Sequence, residues 1–476
     1  MYPIFLVGFC AFLLSAVLTP LCRNLFARFG IVDKPDQDRK LHNTPIPLMG
    51  GVPIALAYVC SCLLLVLLPR NVFPMPFSDI LRAAPAGLII FATGVLDDIL
   101  HLKPWQKLSG QILAAAWAFG AGVRIASIAG HGVGWASMLV TIIWLIGCTN
   151  AFNLIDGVDG LAAGVGLFAT ITMLMAALLQ HNVILAIATA PLAGALLAFL
   201  RYNFNPATIF LGDSGSLMIG FLLGCFGIVW SQKSATILGM TAPLMALGIP
   251  ILDTSLSIVR RFLRHQPIFG ADRDHIHHRL LKRGLTPRRV ALILYAMAAI
   301  GAALSLLTVA TNRMGGLVVL LFCAVAWLGI QHLGYGEFRM AGRMLVAGTF
   351  QQAVDTQLRL RAFEQQLSAA DSIAECWENI IETAQAFDFV DVRLSIAGKI
   401  YQKRLRDAGN DLCWSLRVPL PNGGYINFAR PHESLVFAMG VAPFIDVVRK
   451  TMIAKCQEFG SDAPSKSLAT SSSNLK

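Results

Sequence analysis

Hydrophobic residues fill most of the first 335 positions in long runs that only short polar segments interrupt. Each run approaches the roughly 20 apolar residues that an α-helix needs to cross the hydrocarbon core of a bilayer. The runs fall at about residues 3–22, 51–68, 80–96, 108–123, 135–150, 160–179, 183–199, 214–230, 237–257, 290–310 and 314–332. The pattern therefore predicts an all-α polytopic membrane protein with about eleven transmembrane helices in residues 1–335.

Beyond residue 340 the pattern becomes that of a water-soluble domain. A helix-like stretch, Val354–Ala386, comes first, and a strong turn signal stands at Pro421–Gly424. Short β-rich runs lie at Val390–Ile396, Trp414–Val418 and Tyr425–Phe428. We expect a small α+β accessory domain at residues 340–460 and a Ser-rich disordered tail at residues 461–476.

Charged residues support this division because they make up only 14% of the chain and are unevenly distributed. Residues 1–339 hold 23 Lys and Arg but 13 Asp and Glu, too few to hydrate a normal surface, whereas residues 340–476 hold 15 and 14. The ten cysteines show no Cys-x-x-Cys pair. Disorder, a fibrous repeat and a secreted disulfide scaffold are excluded. The basic residues are scattered between apolar runs, so no nucleic-acid partner is expected.

The distribution of Lys and Arg predicts the orientation. If the amino terminus lies outside, the odd-numbered loops are cytosolic and contain 17 Lys and Arg, against five in the even-numbered loops. The C-terminal domain is then cytosolic. The first run could be a signal peptide, but no Lys or Arg precedes it and Arg23 follows it. We interpret it as a retained helix with its amino end outside.

Polar residues in this topology gather at the cytosolic ends of the predicted spans. They are Asp97, Asp98, Asn150, Asn153, Asp156, Asp159, Asp213, Asp253, His275, His277 and His278. Ionisable groups in membrane spans are costly and usually functional, and a transporter would need them nearer the midplane. Carboxylate and amide oxygens suit Mg²⁺ (Mn²⁺ is an alternative), while Lys107, Arg260 and Arg261 complement a polyanion. These residues favour Mg²⁺-dependent phosphoryl or phosphoglycosyl transfer at a membrane face.

Four motifs in this order resemble a known family. They are Val95–Asp98, Asn150–Ala162, Phe210–Ser216 and Asp272–Leu280. The set is similar to the polyprenyl-phosphate N-acetylhexosamine-1-phosphate transferases over residues 1–335. The resemblance implies an integral enzyme that moves a sugar-1-phosphate from a UDP-sugar to a polyprenyl phosphate and releases UMP. The run Pro267–Asp272 resembles the branch that uses UDP-N-acetylglucosamine. His101 departs from the family, where many relatives have a third acidic residue.

The resemblance assigns roles to the acidic residues. It implies that Asp213, together with Asn153, binds Mg²⁺, although an aspartate there could also cap a helix. It places Asp97, Asp98 and Asp156 in the catalytic centre. The aspartate pair could bind metal, act as a base or act as a nucleophile. A phosphate monoester loses its second proton near pH ~6, so direct in-line attack without an essential base is favoured.

The resemblance also implies a set of substrate-binding residues. They are Lys40, His42, Lys107, Asn153, Asp159, Asn203, Phe210, His275, His277 and His278. Lys40 and His42 would meet the lipid phosphate, and Lys107 the diphosphate. Lys40 could equally belong to the excess of basic residues expected in cytosolic loops, and Lys107 could be an interfacial lysine. Asp159, Asn203 and Phe210 would contact the nucleotide, although a lone Phe is usually core.

The histidines could form a zinc cluster or a structural loop. Their basic surroundings favour recognition of phosphate or sugar.

The resulting prediction is a Mg²⁺-dependent transferase of N-acetylhexosamine-1-phosphate, with N-acetylglucosamine favoured, that initiates a cell-envelope glycan. Its expected partners are UDP-N-acetylhexosamine, undecaprenyl phosphate and membrane lipid, and a homodimer stays open. One rival is a transporter of a phosphorylated solute. The other is a non-catalytic membrane platform for the cytosolic domain, which would not need Asp97, Asp98, Asp156 and Asp213 together.

Overall fold

The chain forms two compact units, Met1–Tyr335 and Gly336–Lys476, in a computed structural model. Each unit is described by itself. The structure describes residues 2–33, 45–66, 77–128, 131–232, 241–263, 275–310, 315–332, 350–396, 398–406, 413–431 and 440–461. The expected disordered tail, apart from Ser461, lies outside these residues.

Helices account for nearly all of the described part of the first unit. They are α1 (Tyr2–Arg28), α2 (Gly51–Val66), α3 (Phe77–Leu100), α4 (Pro104–Gly120), α5 (Ser137–Ile155), α6 (Leu161–Leu179), α7 (Val183–Asn203), α8 (Gly212–Gln232), α9 (Thr241–Ala246), α10 (Gly248–Leu263), α11 (Ile276–Lys282), α12 (Pro287–Ala310) and α13 (Gly315–His332). Within the described residues, each apolar run identified in the sequence lies largely in helix, which confirms the mainly helical class.

The ninth run is two helices rather than the one expected. Helix α9 ends at Ala246 and α10 begins at Gly248. Pro250 has no N–H to donate to the carbonyl of Ala246, so the helical hydrogen-bond ladder is interrupted there. The break lies just before Asp253.

Seven helices in the described residues are long and apolar enough to cross a membrane, namely α1, α3, α5, α6, α7, α8 and α12. Two shorter apolar stretches, Gly51–Leu64 and Gly316–Gly329, lie in α2 and α13. The chain is therefore a multi-pass membrane protein by helix length and composition. The count of eleven spans and the orientation stay predictions.

Helix α1 shows how these helices divide their surface between protein and lipid. One stripe, containing Val7, Ala11 and Ser15, is buried, while Phe5 and Phe9 on the other side are exposed. The buried stripe packs along α7, where Ser15 Oγ donates to the carbonyl of Ala195 at 2.9 Å. Large apolar side chains thus remain on the outer surface, as a lipid environment requires.

Helices α2 and α3 approach the beginning of α8 backbone to backbone. A Cβ on Gly94 would lie 2.5 Å from the carbonyl oxygen of Asp213, and one on Gly51 would collide with Ser214 and Gly215. The preceding loop is fixed too, because Phe210 N donates to the carbonyl of Pro47 in the short β1–β2 ribbon (Val32–Asp33 and Ile46–Pro47). This packing brings the carboxyl end of α3 to the amino end of α8. A second ribbon, β3–β4, pairs Ser127–Ile128 with His131–Gly132.

The described residues of the second unit form a four-stranded antiparallel sheet with three helices. The strands are β5 (Asp391–Ile396), β6 (Lys399–Arg404), β7 (Cys413–Pro419) and β8 (Tyr425–Pro431), in the order β6-β5-β8-β7. The helices are α14 (Phe350–Ala369), α15 (Ile373–Ala386) and α16 (Val441–Ser461). One apolar core joins sheet and helices around Phe389, Phe428 and Phe444. The expected α+β character is present, and a turn lies at Pro421–Gly423 as the sequence signal indicated.

The helix-like stretch of this unit is also two helices. Ser372 Oγ accepts the backbone N–H of Glu375, and the Glu375 carboxylate accepts the N–H of Asp371, which together start α15. The edge strand β6 and the helix α16 were missing from the sequence interpretation. Strand β6 was missed because its sequence, Lys399–Arg404, is largely charged and exposed.

Candidate active site

Six consecutive helix ends converge at one end of the bundle. Helices α3, α5 and α7 finish there, and α4, α6 and α8 begin there. Direct contacts join Asp97 of α3, Lys107 of α4, Asn153 of α5 and Asp213 of α8. Four residues that the sequence singled out separately thus form one cluster.

Lys107 lies at the centre of this cluster. Its ammonium nitrogen is 2.7 Å from Asp97 Oδ2, 2.9 Å from Asp213 Oδ2 and 3.3 Å from Asn153 Oδ1. The ammonium group is therefore held by three oxygen atoms from three different helices. Two carboxylates beside each other would repel, and the lysine compensates their charge.

The same oxygen atoms fit a divalent hard cation. Two carboxylates and one amide oxygen converge on a positive charge, and Mg²⁺ usually takes one or two carboxylates, with water and substrate phosphate completing its shell. Asn153 presents its oxygen to the cation because its Nδ2 donates to Asp213 Oδ1 and to Ser216 Oγ. No three His, Cys, Asp or Glu side chains in the described residues group as a metal site by themselves. The site would depend on substrate oxygens.

Asp98 has a different environment from its neighbour Asp97. Its two carboxylate oxygens accept the backbone N–H groups of Asp213 at 2.7 Å and Ser214 at 3.0 Å. Gly212 makes this contact feasible, because its φ is +71° and a Cβ there would lie 2.7 Å from Asp98 Oδ2. Asp98 therefore caps helix α8 and fixes the backbone that carries Asp213.

Asp97 is oriented by its own chain as well as by Lys107. Its Oδ1 accepts the backbone N–H of Leu102 at 2.8 Å, which closes the turn after α3, while Oδ2 contacts the lysine. The residue is 7% exposed. One oxygen is thus structural and the other belongs to the cluster.

A reciprocal pair of amide side chains lies beside the cluster, on α4 and α5. Neither residue was among the predicted site residues. Gln111 Nε2 donates to Asn150 Oδ1 at 3.1 Å, and Asn150 Nδ2 donates to Gln111 Oε1 at 2.7 Å. Gln111 lies one turn after Lys107, and Asn150 nearly one turn before Asn153. The pair sets the register of α4 against α5. Asn150 opens one of the four sequence motifs, whereas Gln111 is a glutamine within an apolar run that the sequence did not single out.

Asp156 follows the last residue of α5 and stands close to the other carboxylates. Withdrawal from water, and next the charges of Asp213, Asp98 and Asp159, raise the pKa of its carboxyl well above the ordinary value. The surroundings of Asp156 therefore favour the protonated form of its carboxyl.

Asp159, one residue before the Gly160 that precedes α6, holds the loop after α7. Its Oδ2 accepts Nδ2 of Asn205 at 2.9 Å and the backbone N–H of Ala207 at 3.0 Å. Asn203 lies at the end of α7, where its Nδ2 donates to the carbonyl of Ile209. Its buried Oδ1 has no hydrogen-bond partner among the described residues. The half-buried Phe210 leads into α8.

His275, His277 and His278 lie at the start of helix α11. The rings of His275 and His277 are parallel with centroids 5.8 Å apart, and the His277 and His278 rings are 4.3 Å apart. Burial, and next the neighbouring His278, lower the pKa of His277 to about 4, so this ring is neutral at pH 7. His277 also contacts the turn that follows Asp156. Lys40 and His42 lie outside the described residues.

Comparison with known proteins adds a family and three informative relatives. Residues 81–231 match the model of glycosyl transferase family 4. A probable undecaprenyl-phosphate N-acetylglucosaminyl 1-phosphate transferase of Bacillus subtilis is 33% identical over 296 residues, covering 61% of this chain and 80% of the relative. A decaprenyl-phosphate N-acetylglucosaminephosphotransferase of Mycobacterium tuberculosis is 35% identical over 332 residues, covering 63% and 82%.

An undecaprenyl-phosphate alpha-N-acetylglucosaminyl 1-phosphate transferase of Thermotoga maritima is 32% identical over 269 residues, covering 56% and 77%. The matched part of the first unit contains Asp97, Lys107, Asn153 and Asp213, all within residues 81–231.

Proposed function

This chain belongs to glycosyl transferase family 4, and from that premise we propose that it transfers N-acetylglucosamine-1-phosphate from UDP-N-acetylglucosamine to undecaprenyl phosphate. UMP is the second product. The observation that carries the proposal is the Lys107 ammonium held between Asp97 and Asp213 at one end of the bundle. Such a cluster of fixed charges suits a diphosphate and its counter-ion.

The names of the relatives support the sugar and the lipid. All three act on N-acetylglucosamine-1-phosphate and on undecaprenyl or decaprenyl phosphate according to their names. The transporter that the sequence left as a rival has no counterpart among them. The excess of Lys and Arg in the odd-numbered loops supports an active site on the cytosolic face of a bacterial inner membrane, where the product would start a cell-envelope glycan.

Mg²⁺ is the cofactor that the oxygen atoms of the site suit. Asp213, Asp97 and the Asn153 side-chain oxygen would hold it, because these atoms already surround a cation. When bound, Mg²⁺ supplies Lewis-acid stabilisation of phosphate oxygens. Lys107 would then be available to the diphosphate.

The reaction joins an oxygen of the lipid phosphate to the β-phosphorus of the UDP-sugar, and the bond from that phosphorus to the bridging oxygen of UMP breaks. The lipid phosphate is largely dianionic at pH 7, since its second pKa is near ~6. The protein therefore needs to position the two phosphates and reduce their repulsion rather than remove a proton. Asp98 contributes by fixing the backbone of Asp213.

The deciding experiment incubates purified protein with labelled UDP-N-acetylglucosamine, undecaprenyl phosphate and Mg²⁺, and measures labelled lipid and UMP. Equal amounts of both products are expected. Asp213→Asn should reduce transfer by roughly 100-fold or more, whereas Asp355→Asn, an exposed carboxylate of the second unit, should leave it unchanged. Full activity in excess chelator would contradict the metal requirement. Transfer from UDP-N-acetylgalactosamine but not from UDP-N-acetylglucosamine would contradict the proposed sugar.

A further inference from the structure

Asp253 is a buried carboxylate that none of the roles above uses. It lies in α10, five residues after the helix begins, and only 2% of it is exposed. Burying an aspartate is expensive unless its oxygens are hydrogen-bonded. The contacts of Asp253 therefore indicate what the position is for.

Both oxygens of Asp253 contact the start of helix α11. Oδ2 is 3.1 Å from His275 Nδ1, and Oδ1 accepts the backbone N–H of Ile276 at 2.8 Å. Because an ionised carboxylate can only accept, His275 Nδ1 carries the hydrogen of this bond. The carboxylate thereby fixes the orientation of the His275 ring and the first backbone N–H of α11.

The order imposed on His275 extends to the other two histidines. The ring planes of His275 and His277 differ by only 3°, and the His277 ring contacts that of His278. On its far side His277 meets Gly157, where a Cβ would lie 2.6 Å from Nε2. Gly157 directly follows Asp156, so this row of rings links α10 to the turn beside the carboxylate cluster.

We propose that Asp253 is a positioning residue, which holds the histidine segment against the Asp156–Gly157 turn in the place where the histidines bind the UDP-sugar. The inference rests on the proposed function. Asp253 itself does not touch the substrate. It acts through His275 and Ile276, and its loss should weaken the binding of the nucleotide sugar rather than that of the lipid.

The test compares Asp253→Asn with Thr254→Val. Asparagine keeps the size but loses the charge and one acceptor. Thr254 is the neighbouring residue, its hydroxyl has no hydrogen-bond partner among the described residues, and valine has nearly the same shape. For Asp253→Asn the KM for UDP-N-acetylglucosamine should rise roughly tenfold, the value for losing one buried charge-assisted bond. The KM for undecaprenyl phosphate should not change. Thr254→Val should behave as wild type.

Hydrogen exchange of the full-length protein gives a second readout that does not depend on activity. In Asp253→Asn the peptides containing residues 275–282 and 156–160 should exchange faster than in wild type and in Thr254→Val. Unchanged exchange in both peptides would overturn the proposal. Faster exchange with equal changes in both KM values would also overturn it, because Asp253 would then only stabilise the fold.

Gly157→Ala keeps the proposal testable if Asp253→Asn does not insert. Its methyl group would press on His277 from the opposite side, so the same selective rise in the KM for UDP-N-acetylglucosamine is expected. An unchanged KM would overturn the proposal. If wild type itself transferred no sugar, the proposed function would fail. The exchange comparison would then decide whether Asp253 holds the segment, and unchanged exchange would overturn that as well.

Discussion

Lys107 shows how a single side chain can make a cluster of acids tolerable in an apolar protein. It contacts Asp97 and Asp213 at distances below 3 Å and bridges three helices. Asp97 is buried and Asp213 is partly exposed, and two carboxylates this close would repel each other without such a partner. The residue that compensates the charge is also the cation placed to meet a diphosphate, so stability and chemistry depend on the same contact.

The pH dependence of the rate tests whether Asp97 removes a proton. We expect the rate to rise as the lipid phosphate ionises near ~6 and to stay level above about 7. Asp97→Asn should lower the plateau strongly without moving the midpoint, because the ionising group belongs to the substrate. The measurement is a pH–rate profile with both substrates saturating. Loss of the acidic limb, with partial recovery at high pH, would identify Asp97 as a base instead.

His277 makes stability depend on pH in a defined direction. Its pKa in the folded protein is about 4, below the ordinary 6.5, so the unfolded chain binds the proton first as pH falls. The contribution of the neutral His277 ring to the free energy of unfolding is therefore complete above pH 6.5, and it is lost as the pH decreases toward 4. We expect His277→Gln to lose less thermal stability than wild type between pH 7 and pH 5.

Thermal unfolding in detergent measures this difference. His101→Asn is a suitable control, since His101 is exposed and has a φ of +51° that asparagine tolerates. This control should follow wild type. Parallel losses in His277→Gln and wild type would contradict the assignment.

Sequence reasoning could find those site residues that occur in a recognisable motif, such as Asn153 and Asp213. It could not find the task of Asp98, because the capped N–H groups lie more than 100 residues further along the chain. It also could not find the Gln111–Asn150 pair, although Asn150 opens a motif, because Gln111 alone is an ordinary polar residue in an apolar run. The role of Asp98 and the pairing of Gln111 with Asn150 both depend on residues that are distant in the sequence.

At the scale of elements, the beginning of α8 is a closely packed helix junction. Asp98 caps it, and α2 and α3 contact it through glycines. The positions of the long helices followed from the apolar runs, because a helix that crosses a bilayer needs about 20 apolar residues. The division of the ninth run, however, depended on Pro250, whose effect on the helix is local and was available in the sequence.

Gly212→Ala tests this junction. A left-handed backbone costs a residue with a Cβ about 1–2 kcal/mol, and the methyl group would also displace the Asp98 carboxylate. We expect lower thermal stability and a reduced rate at saturating substrates, since Asp213 would move. Gly87→Ala in α3 is the matched control, because nothing lies within 4 Å of its Cβ and alanine favours a helix. A variant with wild-type stability and rate would contradict the role given to Gly212.

At the scale of the whole molecule, the two units have separate cores. The residues of the carboxylate cluster and the histidines all belong to Met1–Tyr335, whereas the aromatic core around Phe389 belongs to Gly336–Lys476. The soluble pattern after residue 340 was visible in composition alone. The order of its strands was not, because strand pairing is set by contacts that a single sequence does not reveal.

Ending the chain after Tyr335 should therefore leave measurable transfer. The first unit has its own internal contacts and contains the predicted site residues. The measurement compares UMP release by truncated and full-length protein at equal amounts of membrane-inserted enzyme. If a correctly inserted truncation were inactive, the second unit would be required for the chemistry.

The glycine contacts at α8 also have a consequence for motion. Where α2, α3 and α8 meet backbone to backbone, no side chain is available to change rotamer and let the helices slide. Helices α10 and α11, in contrast, meet through two hydrogen bonds of the Asp253 side chain, so α11 is held less tightly than α8. We expect α3 and α8, which carry the aspartates, to keep their relative position during turnover. Helix α11, which carries the histidines, should move. Spin labels on α3 and α8 should keep one distance when UDP-N-acetylglucosamine is added, while labels on α3 and α11 should shift.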